Sequence, residues 1–166
     1  MLHIFNKYYE SYKMSNIDII DICDEAISHC RWKTVLKSVL EKEIHILVYK
    51  NKSFEEIFED IHRICKNVKG IGMLSVYDIV SAICRFHSVV IEHVHIIGSG
   101  PVRAIKLLNL QAKKKKIGSV LLQYVSREDV VNAFQRENHI MYAGMDTSTN
   151  GDDIESYICN WQKTIM

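Results

Sequence analysis

Four residues near the middle of the chain carry side chains suited to moving a proton or steadying a charge: Tyr77, Asp78, Glu92 and His95. A carboxylate or imidazole held against a reacting bond can act as general acid or base, or stabilise a developing cation. Spacing alone does not join the four into a set. No Ser, Cys or Asp stands in a nucleophile elbow, and no triad order emerges. They are candidates, and no catalytic residue is assigned. Metal ligation has candidate pairs as well. His93 and His95 would share one face of a strand, and His62 with Cys65, or Cys84 with His87, would lie one helical turn apart. None has a second pair at zinc-finger spacing. Cys65 and Cys84 fall on apolar stripes, where core packing accounts for them. No metal or cofactor is expected.

Phosphate binding is the other chemistry on offer. The stretch "VKGIGMLSVYDI", residues 68–79, sets two of the chain's 7 glycines around Ile71 just before a helical pattern. Gly70 and Gly72 would permit positive φ and a close approach of backbone to ligand. Bare amides and the following helix N-terminus would offer positive partial charge. Arg63, Lys66 and Lys69 approach from the preceding helix, and Ser75 with Asp78 three residues on has capping-box spacing. A second glycine turn, Gly98-Ser99-Gly100, precedes Arg103 and Lys106. A flavin or nicotinamide fingerprint is excluded there, because Arg103 stands where the third glycine belongs and no acidic residue follows at the required distance. Lys113, Lys114, Lys115 and Lys116 form a third basic group, read as a solvated loop and a further candidate phosphate contact. Each glycine turn has a plain alternative, a tight joint between packed elements, and that alternative stays open.

The elements that must position these groups read mostly as helices. Pro101 is the sole proline, so long helices are permitted nearly everywhere. Three-and-four spacing marks Ile4 to Tyr12, Ile19 to Cys30, Trp32 to Leu40, and Phe54 to Cys65, the last opened by a Ser53–Glu56 capping box. A helix follows the glycines to about Phe86, another begins around Pro101, and another follows Ser126. "EIHILVYKN", "VVIEHVHII" and "SVLLQYV" are β-rich. Residues 137–153 read as a loop or linker, and an amphipathic segment from Ile154 docks back as a terminal helix.

Helix, "VKGIG", helix resembles the helix-hairpin-helix of DNA repair glycosylases and related DNA-binding proteins, over about residues 57–86. Gly70-Ile71-Gly72 match that pattern and Ser75 falls where a hydroxyl is expected, while Lys69 replaces a proline and Leu74 a frequent lysine. The resemblance implies a grip on nucleic-acid backbone without base specificity, with Ile71 turned inward. In the glycosylases a catalytic aspartate follows the hairpin. Glu92 lies near that position, within Ile91-Glu92-His93-Val94-His95, and the lysine nucleophile of some members would fall at Leu74, which excludes it. "GIGMLSVYDIVSAI" with "VHIIGSGPVRAIKLLNL" also resembles a group of small uncharacterised bacterial proteins over about residues 57–135, which implies that Tyr77 and Asp78 belong to a site.

Composition bounds the rest. A chain of 166 residues suits one domain, and 21 basic against 20 acidic residues leave a net charge of +1. Bulk charge therefore selects no nucleic acid or membrane, and any electrostatic site must come from local clustering. Five cysteines without a CxxC pair are expected to be reduced thiols, as in a cytoplasmic protein. Neither a signal peptide nor a membrane span is expected. The fold class expected is mostly α (α+β): a helical single domain over 1–136 with one or two short β segments, a 137–153 linker, and a 154–166 helix packed back. The leading function is a helix-hairpin-helix protein contacting nucleic-acid backbone. A structural or protein-interaction module, with a protein partner or a second copy, is the alternative. A nucleotide- or DNA-processing enzyme is third.

Overall fold

The computed structural model describes residues 16–28, 30, 31, 33–43, 51–136 and 145–165. The helix read over Ile4 to Tyr12, the β-rich stretch after Glu43, and Trp32 lie outside the described residues. Among the described residues are seven α-helices and one small sheet: α1 (Asn16–Ala26), α2 (Lys33–Lys42), α3 (Phe54–Cys65), α4 (Met73–Phe86), β1 (His93–His95), α5 (Ser99–Leu107), β2 (Lys113–Ile117), β3 (Val120–Ser126), α6 (Arg127–Arg136) and α7 (Gly151–Trp161), with a closing 3-10 turn at Gln162–Thr164. The fold is mostly α with a minor β component, as expected. None of these helices is long and apolar enough to cross a membrane.

The sheet is antiparallel in the order β1-β3-β2. His95 pairs with Tyr124, and Lys113 pairs with Tyr124 from the other side. Side chains alternate across a strand, so the sheet divides the interior in two. Ile117, Leu122 and Val120 face one core, built on α1, α2, α3 and α4. Val94 and Val125 face the other, built with α5, α6 and α7. The helices stand where apolar periodicity places them: Phe54, Ile57, Phe58, Ile61, Ile64 and Cys65 form the buried stripe of α3.

Helix ends follow local chemistry. Glu56 N–H donates to Ser53 Oγ at 3.3 Å and Ser53 N–H donates to Glu56 Oε2 at 2.8 Å, a reciprocal capping box. Ser126 Oγ accepts from Asp129 N–H at 3.0 Å and caps α6. Helix α7 docks through its first residue: Gly151 N–H donates to Ile91 O at 2.8 Å. A Cβ at Gly151 would lie 2.2 Å from His93 O, so only glycine permits that approach. Arg85 on α4 secures the same end, pairing with Asp152 and, at 3.0 Å, with Asp153.

Several sequence expectations are corrected. Among the described residues there are three strands, not one or two, and the lysine run is strand β2 rather than a loop. The signal for it is Gly118-Ser119, a two-residue connection between β2 and β3. Gly118 has φ +55° and Ser119 does not share the positive φ, which is the sense of a type II′ hairpin turn. Helix α4 starts at Met73 with Gly72 as its N-cap, so Ser75 and Asp78 form no capping box. Pro101 is the third residue of α5 rather than its first. That is still within the turn whose N–H groups have no helical partner. Helix α7 begins at Gly151, so the linker read over 137–153 ends sooner.

Candidate functional site

The α3–α4 joint is a turn with a defined shape. Ile71 N–H donates to Val68 O at 3.2 Å, which closes a four-residue turn with Lys69 and Gly70 at its centre. Gly70 has φ +84°, the value a type II turn requires at its third residue. Lys69 occupies the second position, where proline is common. Ile71 is half-buried and packs on the first core.

Gly72 differs. Its φ of −97° suits any residue, and a Cβ built there meets nothing within 4 Å. It makes no side-chain cap, so the first amides of α4 are left without a side-chain partner. Fold geometry thus explains Gly70 and leaves Gly72 unexplained.

The second glycine turn lies beside the first. Gly98 has φ +85°, and its built Cβ would touch Leu74 Cδ1 at 3.9 Å. The starts of α4 and α5 are therefore neighbours, and neither helix has an acidic residue in its first turn. Asp78 is the sixth residue of α4, and its charge acts on Glu155 of α7, raising that carboxyl's pKa. Lys66, Lys69, Gly70, Gly72, Arg103 and Lys106 are exposed. The four cations among them form no ion pair with any described residue. Ser75 is buried and cannot contribute a hydroxyl to a ligand.

The lysine run does not join this face as a block. Lys113 and Lys115 share the face of β2 turned to α3, while Lys114 and Lys116 take the opposite face. Lys115 Nζ donates to Glu55 Oε1 at 2.7 Å. Glu55 opens α3 and the hairpin closes it. At a rise of about 1.5 Å per residue the two ends are roughly 16 Å apart, so the lysine run and the glycine turn are separate basic groups.

The enzyme candidates are brought together only in part. Tyr77 and His95 meet with ring centroids 5.6 Å apart, and Phe54 stacks on His95 at 4.4 Å. His93 stacks on Tyr124 at 4.4 Å. Tyr77 and His95 are 2% and 3% exposed, closed inside the first core. Burial, with His93 beside it, lowers the His95 pKa to about 4, so the ring is neutral. Its Nδ1 has no hydrogen-bond partner, nor do Tyr77 OH and Ser81 Oγ. Tyr77 and Ser81 lie one helical turn apart, near enough for the hydroxyls to influence each other, yet without hydrogen-bond geometry, so both count as unsatisfied. Burial and the charges of Asp152 and Glu155 push the Tyr77 phenol well above its usual range. A polar seam thus runs through the core from the Glu55–Lys115 pair past His95 and Tyr77 to Asp152 and Glu155.

Glu92 is exposed and stands apart from that seam. A surface depression of about 550 Å³ is lined by Asp129, Asn132, Gln135 and Arg136, and none of the candidates borders it. Among the described residues no three His, Cys, Asp or Glu side chains are arranged to hold a metal ion. Sequence spacing could not find the seam's other members, because Lys115 and Glu55 are 60 positions apart and Arg85 and Asp152 are 67 apart. Comparison with protein-family models, curated proteins and solved structures finds no match for this chain.

Proposed function

We propose that the paired glycine turns hold a nucleic-acid backbone through its phosphates, without reading base sequence. The observation that carries this is Gly72. Glycine costs backbone entropy, and at this position neither φ nor packing calls for it. Absence of a side chain there keeps the amides of α4 open to a group from outside. Lys66 and Lys69 by the first turn and Arg103 on α5 supply charge that no described carboxylate neutralises, and Lys106 in the last turn of α5 adds to it from farther off. Phosphate contacts of this kind position a protein on a strand and carry no sequence information.

Titration of the protein against duplex DNA at several salt concentrations tests the reading. Lys69→Ala should lower affinity equally on all sequences and reduce the salt slope by about one unit. Gly72→Ala should weaken binding while shifting stability by no more than about 0.5 kcal/mol, since the lost cap preference and the gained chain stiffness nearly offset. Absence of duplex binding even at low ionic strength would refute it. A second reading, a protein-interaction module, draws on Leu74, which is 45% exposed beside Gly98. It leaves Gly72→Ala without effect on nucleic acid and makes Leu74→Ala the damaging change for a protein complex.

A further inference from the structure

The four consecutive lysines of β2 are chemically identical in the sequence, and the strand makes them different. Lys115 is half-buried and paired with Glu55 on α3. Ile117 on the same side is buried in the first core, and Leu122 across from Lys115 is buried with it. The inner face of the β2–β3 ribbon is therefore occupied by α3. Its outer face is another matter. Lys114 lies opposite Gln123 and Lys116 opposite Leu121. All four are exposed, and Leu121, at 59%, is the most exposed large apolar residue described. Helices α5, α6 and α7 cover the sheet at Val94 and Val125, but toward the hairpin, at Gln123 and Leu121, the same face is open.

We infer that this outer face is a second contact surface for nucleic acid, with Lys114 and Lys116 on phosphates and Gln123 and Leu121 between them. The inference takes its ligand class from the hairpin reading above, and its geometry is independent of it. Charge complementarity carries the assignment. The ribbon's outer face bears two cations and no carboxylate, and neither cation forms an ion pair with a described residue. Two like charges two positions apart on one strand face repel each other weakly, and a polyanion lying across them turns that repulsion into shared attraction. A two-stranded antiparallel ribbon is also an element that fits the major groove of a duplex. Glutamine there is a two-way hydrogen-bonding group, and a leucine offers an apolar contact. The competing explanation is edge protection, in which lysines merely keep β2 from pairing with other strands. Edge protection asks for charge of either sign. Phosphate contact asks for positive charge.

Charge reversal therefore separates the two. The double variant Lys114→Glu with Lys116→Glu keeps a charged edge. It is measured beside Lys66→Glu with Lys69→Glu and the parent, in fluorescence titrations with a 20-base-pair duplex from low to moderate salt. Chemical denaturation of each protein confirms that folding is retained. We expect the ribbon variant to melt with the parent, to lose at least tenfold in affinity, and to lower the salt slope by about two units, one per phosphate contact. Parent-like affinity and slope in the ribbon variant would overturn the inference. If the Lys66/Lys69 variant alone loses affinity, the hairpin reading stands and the ribbon surface falls. If the ribbon variant alone loses it, the ribbon stands and the hairpin reading falls. Equal, ribbon-dependent competition by polyglutamate would also overturn the inference, because the face would then suit an acidic protein rather than nucleic acid.

Discussion

Glu155 gives the sharpest prediction about the seam. Burial raises its pKa from 4.5 to about 7, and the neighbouring carboxylates Asp152 and Asp78 push the same way. An acid with a raised pKa in the folded state keeps its proton where the unfolded chain has shed it. Its contribution is present in full at low pH and is lost as pH rises from about 4.5 through 7. A shift of this size corresponds to about 3 kcal/mol, which partial exposure of the side chain trims to about 1–2 kcal/mol. His95 acts in the opposite sense. Burial lowers its pKa from 6.5 to about 4, so the unfolded chain binds the extra proton and stability rises with pH between those values. His93, lowered by partial burial and by Lys115, adds to that rise. The parent should therefore show a muted profile from pH 4.5 to 6.5 and a decline from 6.5 to above 7. Glu155→Gln should remove the decline and leave the histidine rise exposed, gaining about 1–2 kcal/mol over the parent at pH 8 relative to their difference at pH 5. Urea denaturation across pH 4.5–8 at constant ionic strength measures this. A Glu155→Gln effect that is the same at pH 5 and pH 8 would refute the reasoning, since it would mean that the carboxyl titrates normally.

The remaining predictions concern single contacts. Gly151→Ala sets a methyl against His93 O and should cost at least about 2 kcal/mol by denaturant melting, because the obstacle is backbone and cannot rotate away. Parent-like stability would show that α7 docks otherwise. Cys23, Cys65 and Cys84 are buried, with thiol pKa values pushed up to about 12 by burial, so a thiol reagent should label them only as the protein unfolds. Cys30 and Cys159 are half-exposed and should label first. Lys115→Ala should cost up to about 1 kcal/mol and lose that effect in high salt, since the ion pair with Glu55 is partly exposed. Lys114→Ala should be neutral or slightly stabilising, and equal costs at the two positions would refute the assignment of faces.

Helices were legible because periodicity is local. The stripe of α3 and its Ser53–Glu56 cap could be read from residues within a turn of one another. Strand β2 was not, because four lysines show no hydrophobic alternation; its inward position at Lys115 is stabilised by a carboxylate far away in sequence rather than by an apolar side chain. The hairpin's position was legible as well, but the roles of its two glycines were not. Sequence treats Gly70 and Gly72 alike, whereas the backbone needs only the first. Nor could spacing show that Asp78 acts on Glu155 of α7, since the two lie far apart in sequence.

That same start point bears on the site itself. With Gly72 as N-cap, the first turn of α4 is Met73, Leu74 and Ser75, and it carries no charge. The positive end of the helix then has no acidic residue in its own first turn to screen it. A helix start at Ser75 would set Asp78 in the first turn; with the start at Met73 it is the sixth residue of α4, and its charge acts on Glu155 in the seam. One carboxylate thus leaves the surface chemistry of the glycine turn and enters the pH response of the core. Leu74 stays exposed beside the second glycine turn, and Lys66 and Lys69, which follow the end of α3, are the exposed cations that precede it in the chain. On the proposed reading, a bound phosphate would meet these two cations and the open amides of α4, with Leu74 as an apolar contact at its edge.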